Sequence, residues 1–396
     1  MIKRQIAQSV YFVGGVDWNM RDFHGFCTPK GVTYNSYVIM DEKIAVIDGV
    51  KCTFADEQLE KISNIVEPEK IDYIIVNHVE PDHSGGLPVL ARAAKNAVVV
   101  CTAQGKAEII QYYGDQFNFK IVKAGDSIDL GKNKLHFLPL PMVHWPDSMV
   151  SFLEGADILF SNDAFGQHLC SSKLFDDEND LEEVLFEAEK YYANILMPLG
   201  KQVAGALVKV AQLPFTVKIV APSHGIIWRS HIGAILAKYA EWSAGVTNER
   251  VVIVYETMWG STEQLARALM DGVISENVKV NYYRLNTSDR TEIVRDILTA
   301  KGIMIGSSTM HNGVLPNVGT LLYHLKGLRP VGKIATVFGT HGWAGGAVKE
   351  IEKMLAETGI EVKHSISAKW SPSDADLQQA FDLGAEFARS IKSTSK

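Results

Sequence analysis

The chain has 396 residues, a length that suits two or three domains. It is 46% hydrophobic and 21% charged, which is the balance of a globular protein rather than a disordered or fibrous one. A formal net charge of −7 gives no electrostatic case for nucleic acid, and no stretch reaches the roughly 18 apolar residues of a membrane span.

In chain order, residues 32–40 alternate partly and read as a strand, and residues 43–48 follow as another after a tight turn. Residues 71–76 are short, apolar and β-branched, the pattern of a buried strand. That strand runs into Asn77-His78-Val79-Glu80-Pro81-Asp82-His83-Ser84-Gly85-Gly86. A single His-Asp pair at a strand end reads as an ordinary turn, with Asp82 bonded to its own backbone. Two histidines and two carboxylates within six positions read instead as parts of two metal sites. Further apolar runs at 97–101, 135–140 and 158–161, with an amphipathic helix at 180–190, suggest two packed sheets covered by helices. His144, Asp163 and His224 each follow such a run, where a strand delivers its last side chain to the sheet edge. His136, His168, His231, His324 and His364 lack that setting and are expected on the surface or in the core.

Cys27, Cys52, Cys101 and Cys170 are far apart, and no Cys-x-x-Cys occurs. Free thiols in a reducing cytosol are expected, with no disulfide framework and no Cys-ligated iron–sulfur or zinc site. The first ten residues lack an apolar core of signal-peptide length, so a cytoplasmic location is expected.

The pattern changes near residue 249. Strands at 250–256, 278–283, 302–306, 333–339 and 361–366 alternate with helices near 263–270, 291–300, 317–325 and 345–357. This alternation predicts a doubly wound parallel sheet of about five strands. Thr257-Met258-Trp259-Gly260-Ser261-Thr262 joins the first strand to its helix, where backbone N–H groups and hydroxyls can cradle a phosphate. A plain helix cap by Ser261 or Thr262 is the simpler reading of that loop alone. No Lys follows and there is no Gly-x-Gly-x-x-Gly, so neither a Walker loop nor a dinucleotide fingerprint is present. One phosphate loop without an adenylate fingerprint points to FMN rather than FAD. The loops with Thr309, Met310, His311, Asn312 and Gly313, and with Thr340, His341, Gly342, Trp343, Ala344 and Gly345, fall on the same edge. Trp259 and Trp343 are candidates to stack on the flavin ring.

His78-x-Glu80-x-Asp82-His83 followed by His144, Asp163 and His224 resembles the metal motif of the metallo-β-lactamase superfamily. Hydrolases of that superfamily usually carry His-x-His-x-Asp-His, and here Glu80 stands in place of the second His. Joined to a flavodoxin-like half, the variant resembles the flavodiiron proteins over essentially the whole chain. The resemblance implies an α/β chain: a metallo-β-lactamase-like αββα sandwich at 1–248, then a flavodoxin-like doubly wound five-stranded parallel sheet at 249–396. It implies one iron held by His78, Glu80 and His144, a second by Asp82, His83 and His224, and Asp163 bridging them. The His83 equivalent is an iron ligand in only some members. His24 and Trp145 are candidate pocket residues. Glu80 adds a negative charge relative to His, which suits iron cycling between ferrous and ferric states.

The implied activity is reduction of dioxygen to water, nitric oxide to nitrous oxide, or both. Reduced FMN and a diferrous pair together hold the four electrons that dioxygen needs. The implied donor is rubredoxin, another small redox protein or a reduced deazaflavin, and the implied assembly is a head-to-tail homodimer or a dimer of dimers. Two rivals are a dizinc hydrolase with a regulatory flavodoxin module, which Glu80 argues against, and a flavin-dependent sensor with a vestigial metal site.

Overall fold

The computed structural model describes residues 3–393. By internal contacts, the chain up to Tyr191 together with Lys201–Ala240 forms one body. Tyr192–Gly200 together with the chain from Glu241 onward forms the other.

The first body holds a seven-stranded and a five-stranded sheet. In the larger sheet, Arg4–Ala7, Val10–Phe12, Tyr37–Ile39 and Ile44–Ile47 run antiparallel, and Ile71–Ile75, Val98–Cys101 and Phe119–Ile121 then continue parallel to Ile44–Ile47. The second sheet is a meander of Ser127–Asp129, Lys134–Pro139, Met149–Glu154 and Ile158–Asn162, closed by the parallel strand Ile219–Pro222. Alternation decides which side chains meet. Ile39, Ile47, Ile75 and Val100 of the first sheet share a core with Leu135, Met149, Leu153 and Phe160 of the second. Their neighbours Val38, Val46, Ile74 and Val99 face the other way and pack with Ile62, Leu87, Leu90 and Ile109 of the covering helices.

The expected strand at 32–40 is broken. Val32–Tyr34 pairs with Gly15–Asp17, whereas Tyr37–Ile39 joins the first sheet. Side chains divert the backbone at the break: Asn35 Nδ2 donates to the carbonyls of Pro222 and Gly225, and Ser36 Oγ donates to the Asp48 carbonyl.

The second body has one five-stranded sheet, all parallel. Lys279–Arg284 lies beside Asn248–Glu256, followed by Ala300–Ser308, Ile334–His341 and Glu361–Lys369. This spatial order, second-first-third-fourth-fifth, is that of the flavodoxin-like arrangement, whose ligand crevice lies at the carboxyl ends beside the first strand. One face is covered by Ser261–Ser275 and by Asp374–Ser393, a helix absent from the sequence expectation. Its Ala380, Phe387, Ala388 and Ile391 are buried at helical spacing. The two helices approach closely at glycines: a Cβ on Gly272 would stand 2.0 Å from the Phe381 carbonyl oxygen, and one on Gly384 would stand 2.2 Å from that of Leu269.

Candidate metal centre and flavin cleft

Three strand ends of the first body converge with the turn that carries His144, a residue expected from the sequence at a strand end; the strand stops at Pro139 and the chain turns before Met149. Ile71–Ile75 leads directly into Asn77 and His78, and Pro81 then starts a one-turn helix, Pro81–Ser84, whose preset φ suits a helix start. That turn places Asp82 and His83 inward, both buried. His78, Glu80, His144 and Asp163 bring ligand atoms within 4.8 Å of one another, and Asp82, His83 and His224 do the same. Asp163 faces both groups. Its Oδ2 lies 3.1 Å from His144 Nε2 and 3.7 Å from His78 Nε2, and its Oδ1 lies 3.0 Å from His83 Nε2 and 3.5 Å from His224 Nε2.

A second layer of bonds aims these ligands, and sequence reading missed it. Asp147 lies 3.0 Å from His78 Nδ1 through either oxygen and accepts a 2.7 Å bond from the Val79 N–H. His224 Nδ1 meets the Thr33 carbonyl. Both contacts direct Nε2 inward. Tyr191 donates to Asp163 Oδ1 at 3.0 Å. Asp48 is buried behind the centre and accepts from Asn77, Asn162 and Ser223, the residues immediately preceding His78, Asp163 and His224. His168, expected on the surface or in the core, is buried and stands edge-on to His224 at 5.5 Å and to Tyr191 at 4.9 Å. Trp145 packs edge-on against His78 at 5.0 Å and His144 at 6.1 Å. His24 Nε2 lies 3.5 Å from Glu80 Oε1 and is more than half exposed.

Opposed charges dominate the electrostatics. Burial disfavours the charged form of His78, but hydrogen bonds to Asp147 and Glu80 outweigh it and raise its pKa to about 10. Against the same burial, bonds to Asp163 and Glu80 raise His144 to about 10, and the charges of Asp82 and Asp163 raise His83 to about 9. Burial opposes ionisation of the carboxylates as well. Bonds from His144 and His78 nonetheless hold Glu80 well below the usual range, and the charge of His83 does so for Asp163. The bare cluster therefore carries protons that cations would displace. Asp82 Oδ1 is buried with no protein partner, a further sign that the donor set is built around something. Carboxylate and imidazole in two adjoining groups fit a pair of first-row transition-metal ions.

In the second body a cleft of about 560 Å³ opens at the carboxyl ends of the strands. Met258, Trp259 and Ser261 line it after the first strand, Thr309, Met310, His311 and Asn312 after the third, and Thr340 and His341 at the end of the fourth with Gly342, Trp343 and Ala344 after it. Ser308 and Trp370 also line it and were not anticipated, although Trp370 follows the fifth strand on the same edge. Thr257, Gly260, Thr262, Gly313 and Gly345 do not line the cleft. The first four shape its walls. Thr257 Oγ1 accepts from the Gly260 N–H, and Gly260 takes φ +90° at the start of helix Ser261–Ser275. The Thr262 hydroxyl is fully buried, 2.9 Å from Ser308 Oγ and 2.7 Å from Thr340 Oγ1, tying three loops together. Gly313 closes a backbone turn with Met310. Gly345 lies against His341, where a Cβ would meet the ring at 3.4 Å. Trp259 and Trp343 are 92% and 87% exposed, a costly display for a free surface but apt for flat rings awaiting a flat partner. No side chain caps helix Ser261–Ser275, which suits an anion at its N-terminus.

Residues 32–225 match the family described as "ODP family beta lactamase", and residues 253–384 match "Flavodoxin". The chain is 42% identical to a nitric oxide reductase of Moorella thermoacetica, over 98% of each chain. It is 38% identical to an anaerobic nitric oxide reductase flavorubredoxin of Escherichia coli, over 97% of this chain and 81% of that protein. Among solved structures, the rubredoxin oxygen:oxidoreductase of Desulfovibrio gigas superposes with a TM-score of 0.96 at 33% identity, covering 99% of both chains. The flavodiiron protein of Giardia intestinalis superposes with a TM-score of 0.97 at 33% identity, covering 99% of this chain and 97% of that one.

Proposed function

The chain belongs to the flavodiiron protein family, and we propose that it reduces dioxygen to water, nitric oxide to nitrous oxide, or both. It is an oxidoreductase, and its cofactors are FMN and two iron ions. The alternative of a dizinc hydrolase is not favoured, because the relatives are named as reductases and oxidoreductases.

The observation that carries the reading is Asp163, which turns one oxygen to each of two ligand groups. We assign His78, Glu80 and His144 to one iron, Asp82, His83 and His224 to the other, and Asp163 to the bridge. When bound, the iron pair supplies the site of gas reduction and FMN relays electrons from the donor. The chain's own residues hold that site in register. Asp147 fixes the His78 tautomer and the Thr33 carbonyl that of His224, and the Tyr191 hydroxyl steadies Asp163. Trp145 walls the first group with an apolar ring, and His24 stands at its exposed side against Glu80. In the second body we assign the cleft to FMN, with the phosphate on the loop at 257–262 and the ring between Trp259 and Trp343.

We take 1–248 as the diiron domain and 249–396 as the flavin domain. Rubredoxin, another small redox protein or a reduced deazaflavin is the proposed donor, and a head-to-tail homodimer or dimer of dimers the proposed assembly. The exposed tryptophans at the flavin cleft support a face that is covered in the assembly. A cytoplasmic location suits the four free cysteines. Among the described residues no helix is long and apolar enough to cross a membrane.

The test is metal and flavin analysis of the purified protein, with dioxygen and nitric oxide consumption measured under a reduced donor. About two irons and one FMN per chain with consumption of either gas is the expected result. Zinc without iron and no consumption would refute it.

A further inference from the structure

A small apolar cavity of about 20 Å³ lies in the first body, between helix Gly200–Ala211 and the second sheet. Val150 and Leu159 form its floor, on the strand positions that alternate away from the sandwich core. Val203 and Ala206 of the helix form its roof. Tyr239 is the one hydroxyl-bearing residue in the wall, and its oxygen accepts the Phe165 N–H at 2.7 Å. The space suffices for about one water-sized molecule, yet the wall offers water too few hydrogen bonds to hold it. Apolar cavities of this kind stay dry and admit small uncharged guests.

The position of the cavity gives it meaning. Val143 and Ala164 belong to its wall, and each is bonded in the chain to a residue assigned to the metal centre, His144 and Asp163. The wall and the centre therefore share two stretches of chain, at 143–144 and 163–164. At the other side Ala206, Leu207 and Val210, on the helix that roofs the cavity, are only half-buried. We propose that this cavity is a holding site for one molecule of an uncharged diatomic gas, dioxygen or nitric oxide, beside the metal centre. Both gases share the needed chemistry: they are small, uncharged and better solvated by hydrocarbon than by water. The proposal rests on the reductase reading for its use, but not for its occupancy.

The test is xenon pressurisation of crystals of the holoprotein, with A206F and V210F to fill the cavity and L207A to enlarge it. Xenon density in the wild-type cavity, lost in the filled variants and stronger in L207A, is expected. The filled variants should raise KM for the gas by about threefold or more at unchanged kcat, read separately for dioxygen and nitric oxide, with iron and FMN contents unchanged. If A206F fails to fold, L207A reads the same site in the opposite direction. Absence of xenon density, or an unaltered KM for both gases in the filled variants, overturns the proposal. Xenon in the cavity of a chain that consumes neither gas supports the holding site and overturns the reductase reading alone.

Discussion

Asp48 positions three proposed ligands at once without a hydrogen bond to any of their side chains. Its Oδ2 takes the side chains of Asn77, Asn162 and Ser223, each one residue ahead of a proposed ligand, and its Oδ1 takes the Asn77 N–H. Asp48→Ala would leave these buried groups short of partners and let three strand ends drift independently. We expect iron affinity to fall about 10- to 100-fold, as for other residues that orient ligands, measured by competition with a chelator. Asp48 closes an apolar run just as His144 and Asp163 do, so its position was visible in the sequence. Its role was not, because its partners lie 29, 114 and 175 residues away. A second expectation concerns pH. In the metal-free protein His78, His83 and His144 have pKa values raised to about 9–10, above the unfolded value of roughly 6.5. Their contribution to stability is complete below the unfolded pKa and is lost as pH rises through the folded one. Glu80 and Asp163 are depressed, so their contribution is present above about pH 4 and is lost as pH falls through their folded values. The metal-free protein should therefore lose Tm between roughly pH 6.5 and 10, while the iron-loaded protein, with unprotonated imidazoles, should not. Equal alkaline profiles in a thermal scan of the two forms would contradict this.

At the scale of elements, the helix–helix contact in the second body is made by what is missing. Gly272 and Gly384 let Ser261–Ser275 and Asp374–Ser393 approach until a Cβ on either would meet a carbonyl oxygen. Gly384→Ala must push the helices apart, and we expect a loss of about 1–3 kcal/mol, measured by denaturant unfolding. A gain in stability, as Gly→Ala gives in an open helix, would show that the helices can separate freely. Strands were legible where β-branched runs were continuous, as at 71–75 and 250–256, because a buried strand needs little beyond that run. Residues 32–40 misled because their pattern is continuous while the backbone is diverted at Asn35 and Ser36 by bonds to distant carbonyls. In the flavin cleft, the hydroxyl of Thr262 turns inward to Ser308 and Thr340 rather than toward the cleft. The sequence marks the loop as a candidate phosphate cradle, but not which of its hydroxyls turns inward.

For the whole molecule, the two bodies keep separate cores and separate sites. Chelation of the iron should therefore leave FMN bound and still reducible by the donor, while gas consumption disappears. Absorbance of the flavin and an oxygen or nitric oxide electrode read the two effects independently, and co-release of FMN with iron would contradict it. The sequence by itself determined the chemistry available: imidazoles and carboxylates after four apolar runs, Glu80 where a hydrolase usually has His, and a Gly- and hydroxyl-bearing loop opening a parallel sheet. Those features are local, since a strand end delivers its next side chain to the sheet edge whatever the rest of the chain does. Only the tertiary structure brought the candidate ligands into two groups facing Asp163, a division that the family resemblance implies, and showed that Asp48, Asp147, Tyr191 and His168 stand behind them. Those contacts join residues tens to more than a hundred positions apart, and their pairing depends on how two sheets stack, which no local pattern encodes.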